Sequence, residues 1–247
     1  HQCLSSEMLL GEQRCLLAER DRRTFYDLLT SLFDPQVEKP NFEKYVHERA
    51  SNIGGGLEDL SVMPCSIRLE AIQTNMAKAR KGYPTSEEFR KAWNRWRRRV
   101  KSWLLYNHEY VFVDCPPSFM PHIAFFMGFA DTFIVPCIPD RLSVRGTLYL
   151  MERLRYYNFK IQGLGTLWSL FRNIQTHTDT ILRATRGVRP YDEIPKPFET
   201  VIPNAVQISR ATDPTLEFSR FSQKYAGGFY QSFRDVSHEI IERLHDR

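Results

Sequence analysis

Four short apolar runs along the chain have the length and composition of β-strands. The clearest lies at 110–113, where Tyr-Val-Phe-Val contains no polar residue. A continuous β-branched and aromatic run of this kind predicts a strand buried on both faces, as in a parallel sheet. Three further runs predict strands at 60–66, 132–137 and 165–171.

Elsewhere the apolar residues recur at helical spacing. Behind a capping-box pattern that begins at Thr85, five apolar positions repeat every three or four residues. They are Phe89, Trp93, Trp96, Val100 and Trp103. We predict an amphipathic helix whose aromatic stripe packs in the core, an interpretation favoured over a base-stacking platform. Similar spacing predicts a helix that ends at Asp34-Pro35, and helices are also predicted at 119–130, from the turn at 139–146 to about Asn158, at 178–186 and at 221–244. At the front of the chain, Ser5 or Ser6 is predicted to cap a helix start.

Asp114 follows the run at 110–113 directly, and two prolines come soon after it. Proline cannot donate to a sheet ladder, so the chain is expected to leave the sheet at Pro116. This places Asp114 at the carboxyl end of a central strand, where open α/β sheets bind ligands. A carboxylate there suits a Mg²⁺ ion beside nucleotide phosphates. The alternative is an aspartate that only caps the next helix.

Composition narrows the class of protein. The chain has 247 residues, 42% of them hydrophobic, which suffices for one large α/β domain or two small ones. Its net charge of +5 permits contact with nucleic acid or an anionic membrane without establishing either. The five cysteines are scattered and form no Cys-x-x-Cys pair, which argues against a zinc site or a disulfide framework and favours a reducing cytosol.

One stretch is strongly basic. The predicted helix behind Thr85 carries Arg95, Arg97, Arg98, Arg99 and Lys101. Two interpretations stay open for this run. It is either a solvated helix face or a surface that contacts nucleic-acid phosphates, and the second would weaken steeply with salt.

Three motifs, in this order along the chain, resemble one family. Residues 114–118 read Asp-Cys-Pro-Pro-Ser after an apolar strand, residues 139–146 keep a Pro-x-x-x-Ser-x-x-Gly spacing, and residues 201–211 read Val-Ile-Pro-Asn-Ala-Val-Gln-Ile-Ser-Arg-Ala. Together they resemble the ParA/MinD-type partition ATPases with a deviant Walker motif. The chain lacks a membrane-targeting amphipathic tail of the MinD kind, which favours the ParA/Soj-like branch.

The resemblance implies an α/β fold of the P-loop NTPase type, a mostly parallel sheet flanked by helices in three layers. It implies one ParA-like domain over 1–247, with variable helical segments at 12–52 and 76–107. The implied function is an ATPase in which nucleotide switches dimerisation and non-specific DNA binding, for partitioning plasmids or chromosomes or positioning cargo. The implied setting is the cytoplasm, at the nucleoid, with a homodimer, DNA and a ParB-like stimulating protein as partners and no membrane.

The resemblance also implies roles for particular residues, with ATP and Mg²⁺ as cofactors. Asp114 would bind the metal shell and contact the nucleotide, and the loop at Pro203 and Asn204 would lie against the adenine. DNA contacts would come from three basic residues, Lys224, Arg183 and Arg186. No catalytic residue is assigned, because the family's catalytic aspartate would precede His1.

The sequence departs from the family at its front. The family's P-loop reads Lys-Gly-Gly-x-Gly-Lys-Thr, and no such motif occurs in this chain. The glycines at 54–56 do not replace it, because an acidic pair and no Lys-Ser/Thr follows them. We expect a fragment of a longer ATPase or a degenerate relative, inactive by itself. The alternatives are a non-catalytic adaptor that binds a protein partner or DNA, and a nucleic-acid-binding protein that uses the arginine run.

Overall fold

The computed structural model describes residues 4–34, 37, 41–116, 121–213 and 215–246. The chain divides into two compact units, each described by itself. Unit 1 comprises His1–Phe129 with Asp213–Arg220, and unit 2 comprises Ala130–Thr212 with Phe221–Arg247. The prediction of one domain over the whole chain stays a prediction.

The described part of unit 1 is helical, with single β-bridges but no strand. Its α-helices are α1 Leu4–Leu10, α2 Glu12–Arg20, α3 Phe25–Phe33, α4 Ile72–Lys81, α5 Ser86–Asn107 and α6 Pro121–Met127. Short 3₁₀ helices span Glu43–Tyr45 and Ile67–Ala71.

Side-chain caps fix where the two amphipathic helices of unit 1 begin. Thr24 and Asp27 form a capping box at the start of α3. Thr85 accepts a hydrogen bond from the backbone N–H of Glu88, 3.1 Å away, at the start of α5. Each cap satisfies amides that a helix start leaves without a partner. The helix predicted behind Thr85 is therefore confirmed, together with its first turn.

The aromatic stripe of α5 packs in the core of unit 1. Trp96 and Val100 are buried with the leucines of α3 and with Phe125 of α6. The Trp93 ring meets the Phe125 ring edge-on, with centroids 5.1 Å apart. The apolar face at helical spacing thus serves core packing, as predicted, because buried aromatic area stabilises the fold strongly.

One arginine, Arg68, links helices α2 and α3 of unit 1. Arg68 donates hydrogen bonds to Asp27 of α3 at 2.8 Å and to Glu19 of α2 at 2.7 Å. Burial raises the pKa of Asp27, but bonds from Arg68 and Thr24 and the charge of Arg68 lower it more. The net pKa of Asp27 therefore lies below its ordinary value, and its carboxylate stays charged.

The predicted strand at 110–113 is wrong. These residues form no helix, strand or turn, and all four side chains are exposed, Phe112 by 76%. No described strand lies beside them, and the apolar run has no ladder to join. The predicted strand at 60–66 is reduced to one antiparallel bridge between His47 and Val62.

Unit 2 contains the sheet. Strands β1 Thr132–Cys137 and β2 Gln162–Trp168 pair in parallel, with Cys137 opposite Trp168 and a register shift between Phe133 and Ile134. The helices of the unit are α7 Arg141–Tyr156, α8 Gln175–Thr185, α9 Val206–Ala211, α10 Phe221–Lys224 and α11 Phe229–His245, with a 3₁₀ turn at Tyr191–Glu193. The predictions of β1 and α7 are confirmed closely, because strong local signals mark both.

A third extended segment runs parallel to β2 but is interrupted. The Phe198 N–H donates to the Thr166 carbonyl at 2.9 Å, and the Ile202 N–H donates to the Trp168 carbonyl at 2.8 Å. Between them, the amides of Glu199 and Thr200 donate instead to the carboxylate of Glu239, at 2.9 and 3.1 Å. The segment before the loop at Pro203 therefore pairs with the sheet as two short ladder pieces, separated by the carboxylate of Glu239.

Arg243 of α11 binds the same edge of the sheet. It donates to the backbone carbonyls of Leu164, Lys196 and Pro197 and pairs with Glu239 at 2.7 Å. Glycine is needed at position 165, where a Cβ would lie 2.6 Å from the Phe198 ring and 2.9 Å from a backbone oxygen. This close approach lets one arginine satisfy three carbonyls and hold the last helix in place.

Over the described residues the fold is helix-rich α/β, with a small parallel sheet of two strands. It is compatible with a P-loop NTPase-like fold, while the larger three-layer sheet stays a prediction. Among the residues with a described placement, no helix is both long and apolar enough to span a bilayer.

Candidate functional site

Three loops meet at the carboxyl edge of the unit 2 sheet. They follow β1 at 138–140, β2 at 169–174 and the interrupted segment at 203–205. Backbone bonds hold them together, since the Ser169 N–H donates to the Cys137 carbonyl at 2.9 Å. Each loop leads into a helix, an arrangement that in open α/β sheets forms ligand sites.

Pro203 and Asn204 occupy the third of these loops. Pro203 is half-buried and bridges in parallel to Phe171, and the Asn204 N–H donates to the Phe171 carbonyl at 2.8 Å. The side chain of Asn204 is exposed. The backbone N–H of Asn204 is therefore committed to the sheet, and its side-chain amide is the group that a ligand could reach.

The first loop is shaped by a helix cap. Asp140 accepts a hydrogen bond from the backbone N–H of Ser143 at 2.8 Å and so fixes the start of α7. Arg141 and Arg145 are exposed on that first turn and a half. The open space around Gly146 shows that packing within this chain does not require glycine there.

An exposed apolar rim surrounds the three loops, and sequence reasoning missed it. Leu142 in the first turn of α7 and Val206 at the start of α9 are each 80% exposed. Leu170 and Ile174, both in the loop after β2, are exposed as well. The sequence signal for this rim was the apolar residue in the first turn of a helix, as at Leu142 and Val206, where polar residues are usual. Several apolar side chains gathered at one edge are typical of an interaction surface.

Asp114 belongs to unit 1. Its carboxylate is exposed and accepts a hydrogen bond from the hydroxyl of Ser5 in α1, which lies 109 positions away in sequence. Ser6 is buried and accepts from the Cys65 N–H at 2.9 Å. Both serines lie inside α1, so the prediction that one of them caps a helix start is wrong. Pro117 and Ser118, the end of the motif, lie outside the described residues.

Asp114 and Ser5 together offer oxygen donors of the kind that Mg²⁺ prefers. The described ranges contain no cluster of three or more His, Cys, Asp or Glu side chains able to hold a metal ion. Magnesium usually takes one or two carboxylates and completes its shell with water and phosphate oxygens. The residues present therefore fit a nucleotide-bound Mg²⁺ and do not form a metal site by themselves.

The three basic residues predicted to contact DNA differ in exposure. Arg183, in the last turn of α8, and Arg186, which follows that helix, are exposed. Lys224 is only 5% exposed, its Nζ lies 5.6 Å from the centre of the Tyr225 ring, and burial lowers its pKa. The two arginines can reach a phosphate, whereas Lys224 in this arrangement does not present its ammonium group to the surface.

No protein-family model matches the chain. Three similar curated proteins are the chromosome-partitioning ATPase Soj of Treponema pallidum, the chromosome partitioning protein ParA of Caulobacter vibrioides and a ParA family protein of Mycoplasma genitalium. The identities are 24% over 143 residues, 29% over 147 and 24% over 110. The matches cover 55%, 57% and 44% of this chain and 53%, 52% and 37% of the relatives.

The chain spans about half the length of the Soj and Caulobacter ParA relatives. The helix-rich α/β fold and its carboxyl-edge loops are compatible with the nucleotide-binding α/β class. The names of these relatives, a Soj ATPase, a ParA protein and a ParA family protein, support a ParA-like family for this chain. The resemblance predicted from the three motifs is thereby confirmed.

Proposed function

We propose that this chain is part of a ParA-like ATPase that partitions plasmids or chromosomes, or positions another cargo, by nucleotide-switched dimerisation and non-specific DNA binding. The similarity to chromosome-partitioning ATPases over about half the chain carries the proposal. The protein would work in the cytoplasm at the nucleoid, without a membrane, and a ParB-like protein would stimulate it.

The nucleotide would be ATP with Mg²⁺. Asp114 would bind the metal shell, supported by its exposure and by the hydroxyl of Ser5 beside it. Pro203 and Asn204 would lie against the base, supported by the exposed Asn204 amide at the carboxyl edge of a parallel sheet. In the complete ATPase, a P-loop of the family kind would cradle the phosphates.

A second copy of the protein would cover the apolar rim formed by Leu142, Leu170, Ile174 and Val206. Their exposure on neighbouring loops supports a protein partner at this edge. ATP would act as a switch if it bound the dimer more tightly than the monomer, since a ligand shifts an equilibrium only by its differential affinity.

DNA would contact Arg183 and Arg186, which are exposed near the end of α8. Lys224 would join them only if binding exposed it. Contacts to phosphate of this kind carry no sequence information, which suits non-specific binding.

The reading frame before His1 and the intact mass of the native protein test the proposal first. A Lys-Gly-Gly-x-Gly-Lys-Thr motif upstream supports the ATPase. A native start at or near His1 would favour the non-catalytic adaptor, which binds its partner without hydrolysis.

Replacing Asp114 with Ala in the complete protein should abolish Mg²⁺-dependent ATP turnover and ATP-dependent dimerisation, measured by phosphate release and light scattering. The matched control is Asp59→Ala, an exposed aspartate of the same unit. If Asp114→Ala turns over ATP as fast as the control variant, the assignment of Asp114 to the Mg²⁺ shell is wrong.

A further inference from the structure

Positive charge is concentrated in one short stretch of unit 1. Residues 78–101 contain ten Lys or Arg and two Glu, a formal charge of +8 in a chain whose total is +5. The rest of the chain is therefore slightly acidic, at −3. Such asymmetry is the electrostatic signature of a surface that meets a polyanion.

The structure divides the basic residues of α5 into an outer and an inner set. Arg97 is half-buried against α6, where a Cβ on Gly128 would overlap its guanidinium, and Lys101 donates to the Phe129 carbonyl at 3.1 Å. Burial lowers the pKa of Arg97. These two side chains belong to the packing of unit 1, and the predicted basic run is not one uniform surface.

The outer set forms one stripe along the helix. Lys91, Arg95, Arg98 and Arg99 are exposed, and their spacing of four, three and one places them on the same face. The apolar face of the same helix, with Trp96 and Val100, is buried in the core. From Lys91 to Arg99 the stripe extends about 12 Å at the rise of an α-helix. The exposed basic residues Lys78, Arg80 and Lys81 lie at the end of the preceding helix, α4.

Two of these arginines are held in position by an aromatic ring. The guanidinium groups of Arg95 and Arg99 lie 5.6 and 5.0 Å from the centre of the Trp96 ring. A guanidinium held beside an aromatic ring has fewer rotamers to lose when it binds a phosphate. Bidentate hydrogen bonding to phosphate is the particular strength of arginine over lysine.

The stripe costs the isolated protein stability. Like charges three residues apart, as in Arg95 with Arg98, repel one another on a helix. Within the described ranges, Arg95 and Arg98 make no ion pair, and Lys91 pairs with Glu87 at 3.0 Å. A polyanion laid along the face would remove this repulsion.

We propose that the outer face of α5 binds the phosphate backbone of duplex DNA without nucleotide. An anionic membrane fits less well, because the apolar face of α5 is buried in the core and cannot insert between lipids. The surface is distinct from Arg183 and Arg186 of unit 2, and the inference does not rest on the ATPase proposal.

The test measures binding of the 247-residue protein to a fluorescent 30-bp duplex by anisotropy, without ATP or Mg²⁺, between 50 and 200 mM salt. The variant is Arg95→Gln with Arg98→Gln and Arg99→Gln, because glutamine keeps helix propensity. We expect affinity to fall roughly tenfold or more and the log–log salt slope to shrink by about two to three.

A scattered variant with the same loss of charge provides the control: Arg20→Gln, Lys160→Gln and Arg234→Gln, all exposed. An equal loss of affinity in both variants would show that net charge alone binds DNA and would overturn the site. Absence of DNA binding by the unaltered protein would overturn it as well.

A second variant covers the case in which the glutamine variant does not fold. Replacing the same three arginines with lysine keeps the charge, so we expect the salt slope to be retained and the affinity to fall only severalfold. If this variant binds DNA with an unchanged affinity and an unchanged slope, arginine geometry plays no part and the role assigned to Trp96 is wrong.

Binding to vesicles with anionic or neutral headgroups tests whether the face binds a lipid surface instead of DNA. We expect weak vesicle binding that the glutamine variant does not change. A loss of vesicle binding with DNA affinity intact would assign the face to a membrane and reject the DNA proposal. Because no nucleotide is present, none of these outcomes bears on the Asp114→Ala test.

Discussion

Two apolar runs of similar composition end in opposite surroundings. In unit 2, β1 pairs with β2 along its whole length, and Val135 and Cys137 are buried. In unit 1, residues 110–113 have no ladder, and Phe112 is 76% exposed. An apolar run gains free energy when it is buried. It forms a strand only where a neighbouring strand hydrogen-bonds its backbone and other residues bury its side chains.

The neighbour of β1 comes from its own stretch of chain. Helix α7 leads from β1 to β2, and Val144 of that helix packs with Cys137 and Trp168 in the core of unit 2. The run at 110–113 is preceded by α5, whose apolar face is already used in the helical core of unit 1. Strand β1 is therefore stabilised because the connection through α7 brings β2 beside it. Four apolar residues without such a neighbouring strand do not form a strand.

The largest effect is expected at the centre of the paired region. Trp168 is fully buried, at 0% exposure. Trp168→Ala should destabilise unit 2 by about 3–5 kcal/mol, because it removes buried aromatic area and leaves a cavity. Denaturant unfolding followed by circular dichroism measures the change, and a loss below about 1 kcal/mol would contradict the packing described for this residue.

The next effect concerns the arginine that holds α11 on the sheet edge. Arg243→Met removes the hydrogen bonds that Arg243 donates to three carbonyls and to the Glu239 carboxylate. A loss of about 3 kcal/mol is expected for breaking a largely buried pair, measured by the unfolding midpoint. As a control, Arg155→Met, which breaks an exposed pair with Glu193, should cost at most about 1 kcal/mol. Equal effects of the two changes would disprove the anchoring role.

Acid should weaken the same anchor. Burial raises the pKa of Glu239, but the amides of Glu199 and Thr200 and the charge of Arg243 lower it more, so the net pKa lies below its ordinary value. The unfolded chain therefore binds a proton first as the pH falls, and stability present above the unfolded pKa is lost as the pH drops through the folded one.

Glu239→Gln should accordingly flatten the decline of the unfolding midpoint below about pH 5. Unfolding curves at several pH values between neutral and acid compare it with Glu242→Gln, an exposed glutamate of the same helix. An identical acid decline in the two variants would mean that Glu239 does not govern it.

The smallest effect is expected in the unpaired run. Phe112→Ser should change the free energy of unfolding by no more than about 0.5 kcal/mol, because the ring is exposed. The same denaturant measurement decides the point. A loss above about 2 kcal/mol would show that the ring is buried in solution and would restore the strand prediction for 110–113.

Sequence reasoning succeeded where the signal was local. The capping pattern at Thr85 and the apolar repeat behind it predicted α5, and the run at 132–137 predicted β1 to the residue. Caps and apolar periodicity involve residues within one or two turns of each other, so they can be recognised from neighbouring positions in the sequence. The three family motifs were also short and local, and the resemblance predicted from them is supported by the similarity to ParA and Soj proteins.

The functional residues were only partly predictable. The sequence placed Asp114 after an apolar run but gave no sign that Ser5, 109 positions away, donates to its carboxylate. It treated Lys224 as a surface cation, whereas tertiary packing buries it. The arginine run likewise separates into an outer stripe and the inner pair Arg97 and Lys101 only when α6 packs against α5.

By itself the sequence determined the capped helix α5 and its apolar face, strand β1, the basic stretch and the resemblance to partition ATPases. Only the tertiary structure decided which apolar run became a strand, which cations remained exposed and which groups meet the Glu239 carboxylate. The physical reason is that propensity, capping and charge are properties of neighbouring residues. Burial and hydrogen-bond satisfaction depend on groups that the fold brings from far along the chain.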